Sequence, residues 1–483
     1  MKNSLKNIYR FSKVALAIAL LAASTSCGKD FLDRNSELDI PEEQISAEAL
    51  RVEGQVNGLY ASLKNGALYG GRYLIYNDIR GEEFLNRGGN NVTGYSVYQF
   101  SNDPSDSYVA GFWIQAYVTI NRVNIFLDNI SKVSDDIVPA EKKAQYISEA
   151  KFIRAISYYT LVQLFAKPYA ADNGASQGVP LRLTPEKSVD NNAAQRATVK
   201  AIYDQILKDL NEAEPTAVAN YGDAYRRGTR VHKNTVIALK TRVYLAMKNF
   251  PKVIEEANKI VSPNAPFTAT SGVPHKLLEK IESVFADKTS DERILSFPFE
   301  LTNIPGTQNQ LSYYYNMGNI EYYLNKGTTG IYANPNWPET DARKSALTGV
   351  ASGFTILKKY TDVGTYLDWV PAIRYAEVLL NLAEAEAEVG DQGRALALLK
   401  AIRNRSDAAY TFPAFASRSA LVDAILLERR IELLGEGFRA PDLQRRNSPI
   451  NSVGAGRLVQ PNDDHYVFPI PLRELIDNVD INK

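Results

Sequence analysis

The sequence predicts a mostly α protein: tetratricopeptide-like helical hairpins stacked into an α-α superhelix, carrying irregular, aromatic-rich loop insertions. Three observations predict it. Residues 233–261 and 371–404 each read as two helices around a tight turn. Residues 141–169 repeat apolar side chains at helical spacing. Two long stretches, 66–110 and 264–360, show no sustained helical stripe and are rich in aromatic and polar residues.

The chain opens with Lys2, Lys6, Arg10 and Lys13, followed by an apolar run from Val14 to Ala23. That run is about ten residues, too short to span a bilayer as a helix. Residues 21–27 read LAASTSC, and Cys27 is the only cysteine. A basic start, a short apolar core and small residues before a cut make a secretory signal. The cysteine at the cut makes it a lipoprotein signal, residues 1–26. Cleavage is expected to leave Cys27 as the first mature residue and a stable lipid anchor. Residues 27–45 are expected to be a polar tether. Residues 46–483 are expected to form one domain, with an N-terminal part over 46–262 and a C-terminal part over 263–483.

A helix is expected from Ala47 to Leu63. Residues 66–110 read as loops with short extended pieces. A second helix is expected from Phe112 to Ser131. In the next, Ile147, Ala150, Ile153, Ile156, Leu161 and Leu164 form the stripe, and Phe152, Tyr158 and Phe165 broaden it. That helix is therefore expected to be buried on more than one side, and to end at Pro168. Another helix is expected from Thr198 to Glu214. The hairpin at 233–261 turns at Asn249-Phe250-Pro251, and the one at 371–404 turns at Gly390-Asp391. Small Ala residues at the contacts make both tetratricopeptide-like. They are far apart and not in tandem, which predicts a scaffold with insertions, not a regular solenoid. A last helix is expected from Arg418 to Leu434, stopped by Gly435 and Gly437. VFPIP at 467–471 reads as extended.

Loss of residues 1–26 removes four basic side chains and no acidic one, leaving 51 basic against 55 acidic. That balance argues against nucleic acid, which requires basic patches. The three histidines, at 232, 275 and 465, lack metal-ligand spacing, and no dinucleotide or P-loop glycine pattern stands between a strand and a helix, so no metal and no cofactor is expected. Gly174-Ala175-Ser176-Gln177-Gly178 matches the nucleophile-elbow pattern without the strand and helix that pattern needs. A hydrolase reading would rest on paired carboxylates among Asp78, Glu82, Glu83, Asp103, Asp106 and Asp341. In the stretch 425–446, Glu428, Arg429, Arg430, Glu432, Glu436, Arg439 and Asp442 alternate in sign and read as an ion-pair network.

Several segments together resemble the SusD/RagB family. They are KDFLD after Cys27, EAKFIRAISYYTLVQLFAKP, GTRVHKNTVIALKTRVYLAMKN, TDARK, AIRYAEVLLNLAEAEAEVG, ERRIELLGEGFRAPDLQR and FPIP. They fall in family order over essentially the whole mature chain. Two departures are Ala440-Pro441, where the family usually has aromatics, and Asn447, where a Trp often stands. The resemblance implies a non-catalytic lipoprotein of the outer membrane, facing the cell surface. It also implies a SusC-like TonB-dependent transporter as partner, and an oligosaccharide, or in the RagB branch a peptide, as ligand. A glycan-cleaving enzyme and a tetratricopeptide-like assembly scaffold are the competing classes.

A sugar binder needs flat rings for C–H faces and polar side chains for hydroxyls. Both irregular regions supply that mix, and Tyr is frequent overall, at 28 residues. Expected ligand contacts are Tyr76, Asn77, Asp78, Arg80, Tyr95 and Tyr98 in the first region. In the second they are Tyr313, Tyr314, Tyr315, Tyr332, Asn336 and Trp337. Of the three Trp residues, Trp113 falls in a helix and Trp369 at the entry to one. Trp337 lies in a polar Asn/Pro-rich loop and is expected to stack on the ligand.

Overall fold

Side chains at the helix ends set where the scaffold helices begin. Asp106 accepts from the amides of Tyr108 and Val109 and starts Ser107–Ile130. Thr198 accepts from Ala201 and starts Val199–Ala213. Asn249 caps Phe250–Ala257, with Pro251 in its first turn. Asp391 caps Gln392–Ser406, and Ser417 caps Arg418–Glu432. Each cap satisfies an amide that the helix cannot, a contribution of about 1 kcal/mol. In this computed structural model residues 48–188 and 192–483 are described. Cys27, the signal segment and the whole tether lie outside them.

The protein is mostly α, with the strands short and paired in twos. Ala140–Phe165 is the central helix. Phe152, Ile153, Ile156, Tyr158 and Leu161 are all fully buried. It packs between Ser107–Ile130 on one side and Val199–Ala213 on the other. The broadened stripe read from the sequence has this cause.

The two hairpins, remote in the chain, stack on each other. Lys233–Ala246 and Phe250–Ala257 both pack against Tyr375–Val389. Tyr244, Leu245, Val253 and Ala385 close one cluster. Arg242 clamps the stack: it donates to both oxygens of Glu377 at 2.6 Å and to the Ala372 carbonyl at 2.6 Å. Arg418–Glu432 then covers both helices of the second hairpin. Residues Glu53–Lys483 make one compact unit, and all that follows concerns it.

The stretch 425–446 turns its charges inward, where they pair. Arg343 donates to Asp341, Glu428 and Glu432; Arg374 donates to Glu292, Glu432 and Glu436. Arg403 and Arg405 close the array on Glu428 and on Glu292 and Glu432. These groups are no more than about 5% exposed. The Glu432 carboxyl is held far below the usual range, because Arg405, Arg374 and Arg343 around it outweigh its desolvation. Asn447, one of the two departures from the family pattern, takes φ 53° just after Arg439–Arg445. Asn tolerates that left-handed backbone, which a Trp does not favour.

The expectation of loops over 66–110 is corrected: Tyr95–Tyr98 forms a helical turn, and the helix expected from Phe112 begins at Ser107. Arg72–Ile79 is a helix, buried at every residue. Its polar side chains, Arg72, Asn77 and Asp78, are buried with the apolar ones, so it carries no amphipathic stripe. Gly71 precedes it at φ 145°, and a Cβ there would stand 1.9 Å from the Asn309 carbonyl oxygen. Only glycine permits that approach between the two irregular regions.

Candidate functional site

The two irregular regions, more than two hundred residues apart in sequence, build one surface. Phe84–Asn86 pairs antiparallel with Tyr322–Leu324, Phe84 opposite Leu324 and Asn86 opposite Tyr322. A run of tyrosines fills the seam. Tyr314 lies parallel to Tyr322 at 6.1 Å, Tyr322 meets Tyr98 edge-on at 5.7 Å, and Tyr98 faces Tyr95 at 6.2 Å. Phe84 stacks on Tyr315 at 4.7 Å. Burial then decreases outward along the run: Tyr314 and Tyr322 are fully covered, Tyr98 is 8% exposed, and Tyr95 is half-buried.

Beside Tyr95 opens a polar cleft of about 540 Å³. Tyr95 and Tyr108 supply rings, and Gln99, Asn91, Asn102, Asp103 and Asp106 supply polar groups. The Gly94 turn, at φ 89°, presses this segment onto Tyr76, whose ring would lie 2.6 Å from an added Cβ. Gln99 donates to the Tyr95 hydroxyl at 2.8 Å, and Ser96 to Asp106 at 2.6 Å. These bonds hold the Tyr95 phenol and the Asp106 carboxylate in place. The carboxylate of Asp106 also caps its helix, which brings Tyr108 to the cleft from the first turn. Asn102 is 3% exposed, and its side-chain NH2 is buried with no partner. A buried donor without an acceptor costs about 1–3 kcal/mol. A hydroxyl entering the cleft would relieve it.

Most of the ligand contacts expected from sequence are instead structural. Trp337, expected exposed in a polar loop, is 2% exposed. It meets Tyr332 edge-on at 6.0 Å, and the Lys344 ammonium covers both rings while donating to the Trp337 carbonyl. The polar residues around it fold over the ring instead of lifting it into solvent. Tyr76, Tyr314 and Tyr315 are fully buried in the seam. Asn77 bonds to Tyr73 and Gln163. Asp78 accepts from the amides of Gly437 and Arg439, and burial pushes its carboxyl up to about 7. Arg80 lies between the rings of Phe100 and Phe468, 5.0 Å from each, and donates to the Tyr466 carbonyl at 2.6 Å. Tyr95, Tyr313 and Tyr332 are half-buried, and Asn336 is exposed. Tyr313 packs on Tyr366 at 6.2 Å, away from Tyr332 and Asn336, which sit by Trp337.

Tyr108 and Gln99 were missed from the sequence. Tyr108 belongs to a scaffold helix, and the signal for its position was the Asp106 cap at the end of a loop. The carboxylates of the hydrolase reading are all engaged. Glu82 and Glu83 pair with Arg430 and Arg439, Asp341 with Arg343, and Asp103 with the hydroxyl and amide of Ser105. Among the described residues no group of three His, Cys, Asp or Glu is arranged to hold a metal ion.

A family model described as "Starch-binding associating with outer membrane" matches residues 30–245, and the model of the SusD family matches residues 164–482. The chain belongs to the SusD/RagB family. A SusD superfamily protein from Bacteroides fragilis is 36% identical, with a TM-score of 0.82, over 91% of this chain and 100% of that one. The SusD-like protein P2 of Formosa agariphila is 24% identical over 97% of each chain. A solved laminarin-binding SusD-like protein shares the fold, with a TM-score of 0.69 at 22% identity, over 90% of this chain and 98% of that one. The helical-hairpin scaffold is thus the SusD fold.

Proposed function

We propose that the chain is a non-catalytic, surface-exposed lipoprotein of the outer membrane that binds an oligosaccharide in the cleft beside Tyr95. It would pass the ligand to a SusC-like TonB-dependent transporter. One observation carries the reading: a cleft of about 540 Å³ joins two accessible tyrosine rings to a buried, unpartnered Asn102 amide. The volume falls within the range of small-ligand sites, about 300–1,000 Å³. Rings beside fixed donors and acceptors suit a sugar, whose apolar face stacks while its hydroxyls bond. The laminarin-binding relative and the starch-binding family description support a glycan as the ligand class.

Titration calorimetry against a panel of oligosaccharides, including laminarin and starch fragments, tests the reading. Binding to one of them, lost in Tyr95→Ala, supports it. New reducing ends during the incubation would move the protein to the enzymes. Recovery of a barrel protein from detergent-solubilised outer membrane tests the transporter partnership.

A further inference from the structure

A second pocket of about 380 Å³ lies apart from the tyrosine seam, between Ala49–Leu63, the segment around Tyr221–Arg230 and the strand end at Phe297-Pro298. Its walls carry Lys64, Lys142, Arg226 and Arg230, with Glu53 the acidic side chain among the lining residues. Arg230 is spent on Glu149, at 2.8 Å, and on the ring of Tyr60. Arg226 has only a loose contact with Asp223, at 3.8 Å. Lys64 and Lys142 have no carboxylate within ion-pair distance among the described residues. Lys64 donates to the Pro298 carbonyl and sits 4.9 Å over Phe299; Lys142 sits 4.7 Å over Tyr146. Burial holds the Lys64 ammonium below its usual range, and Glu300 only partly offsets this.

Two ammonium groups on aromatic faces line the pocket without a carboxylate in direct contact, Glu300 and Glu149 acting on them only at longer range. A bound carboxylate would supply that contact at a gain greater than in open water. Beside them Tyr225 is 47% exposed, its ring held edge-on to Trp369 at 5.4 Å. That ring offers a flat face at the pocket mouth. The combination is one for a saccharide bearing an acid group. We propose that this pocket is a second ligand site, which takes a uronic-acid residue: its carboxylate against Lys64 and Lys142, its sugar face on Tyr225. The choice of ligand class rests on the glycan reading above; the site itself does not.

The test is calorimetry of the lipidated protein in detergent. The probes are trigalacturonate, trimannuronate and a glucuronate-containing disaccharide, each with its methyl ester. The ester keeps the shape and removes the charge. At least one acid should bind, about tenfold tighter than its ester. Lys64→Met and Lys142→Met should each weaken it about tenfold, as should Tyr225→Ala. Lys142→Met guards against misfolding at the more buried Lys64. Raising salt should weaken binding too. The double variant Tyr95→Ala/Tyr108→Ala should leave it unchanged. Failure of all three acids, equal affinity for the esters, or indifference to both lysine variants overturns the proposal. Loss in the Tyr95/Tyr108 variant alone also overturns it, by placing the acid in the first cleft. Uronate binding with no ligand found for that cleft would sink the first reading and leave this one standing.

Discussion

The ring of Tyr98 meets that of Tyr322 edge-on at 5.7 Å, across a seam between segments 224 positions apart. Tyr98 in turn faces Tyr95, which borders the polar cleft. Buried tyrosines thus brace the cleft wall, and the outer rings are the ones left accessible. Substitutions on either side of that line should separate in effect.

On the outer side, Tyr95→Ala and Tyr108→Ala should each weaken oligosaccharide binding about tenfold. A ring contact contributes about 0.5–1.5 kcal/mol beyond its area, and 1.4 kcal/mol is one decade. Melting temperature should stay within a few degrees of wild type. Paired titration and melting measure both. Unchanged affinity in both variants would empty the cleft of its role.

On the buried side, Trp337→Ala should destabilise the fold by about 3–5 kcal/mol, as large-to-small changes in a core do. Glycan affinity at a temperature where the variant is folded should not change. Denaturant unfolding gives the first quantity and calorimetry the second. A stable variant with lost binding would restore Trp337 to the site.

Arg343→Met removes the one cation that touches Asp341, Glu428 and Glu432 together. Three buried carboxylates then face one another with fewer partners, which should cost about 3–5 kcal/mol. The midpoint of urea unfolding reads the loss. A midpoint within error of wild type would show that Arg403 and Arg405 suffice.

His232 and His275 are buried and stacked at 5.3 Å. Burial lowers both, His275 to about 4 and His232 well below 6.5, so both are neutral in the fold. The unfolded chain takes up protons below about pH 6.5, and the fold does not. More protons bind to the unfolded state, so stability falls as pH drops from about 6.5 toward 4. Asp78, raised to about 7, works in the opposite direction over the same window. It is common to wild type and His275→Asn, so the difference between them isolates the histidine. Melting curves from pH 7 to pH 4.5 should fall more steeply for wild type than for His275→Asn. Parallel curves would mean the imidazole is not kept neutral.

Cys27→Ser should move the protein from the membrane fraction to the soluble one, with loss of lipid label. Cys27 lies outside the described residues, so fractionation is the direct measurement. Retention in the membrane would require another anchor.

The scaffold was legible because its helices have one covered face and conventional ends. Val199–Ala213 and Arg418–Glu432 fall within a residue or two of the bounds expected from the sequence. Two kinds of feature were not legible. Arg72–Ile79 is buried all round, so period carries no signal there. Exposure of aromatics was the other. Composition placed Trp337 in a polar loop, but Lys344 and the Asp341–Arg343 pair fold that loop inward. Those contacts are local, but Arg343 also pairs with Glu428 and Glu432, distant in the chain, and only the fold shows which ring is left outside. Tyr95, expected from the sequence, borders the cleft, but the Asp106 cap that brings Tyr108 to it is a matter of geometry.

The antiparallel pairing of Phe84–Asn86 with Tyr322–Leu324 has an evolutionary consequence. Neither segment makes the proposed binding surface by itself: the first lines the cleft, and the second holds the rings that brace it. A relative that acquires a new sugar preference by exchanging residues 84–108 alone inherits a strand without its register. Recombination has to move the two segments as a matched set, or point mutation has to work outward from the braced tyrosines. A chimera that grafts both onto another helical scaffold should carry its specificity with it; a chimera with either one alone should fold around the graft and bind nothing.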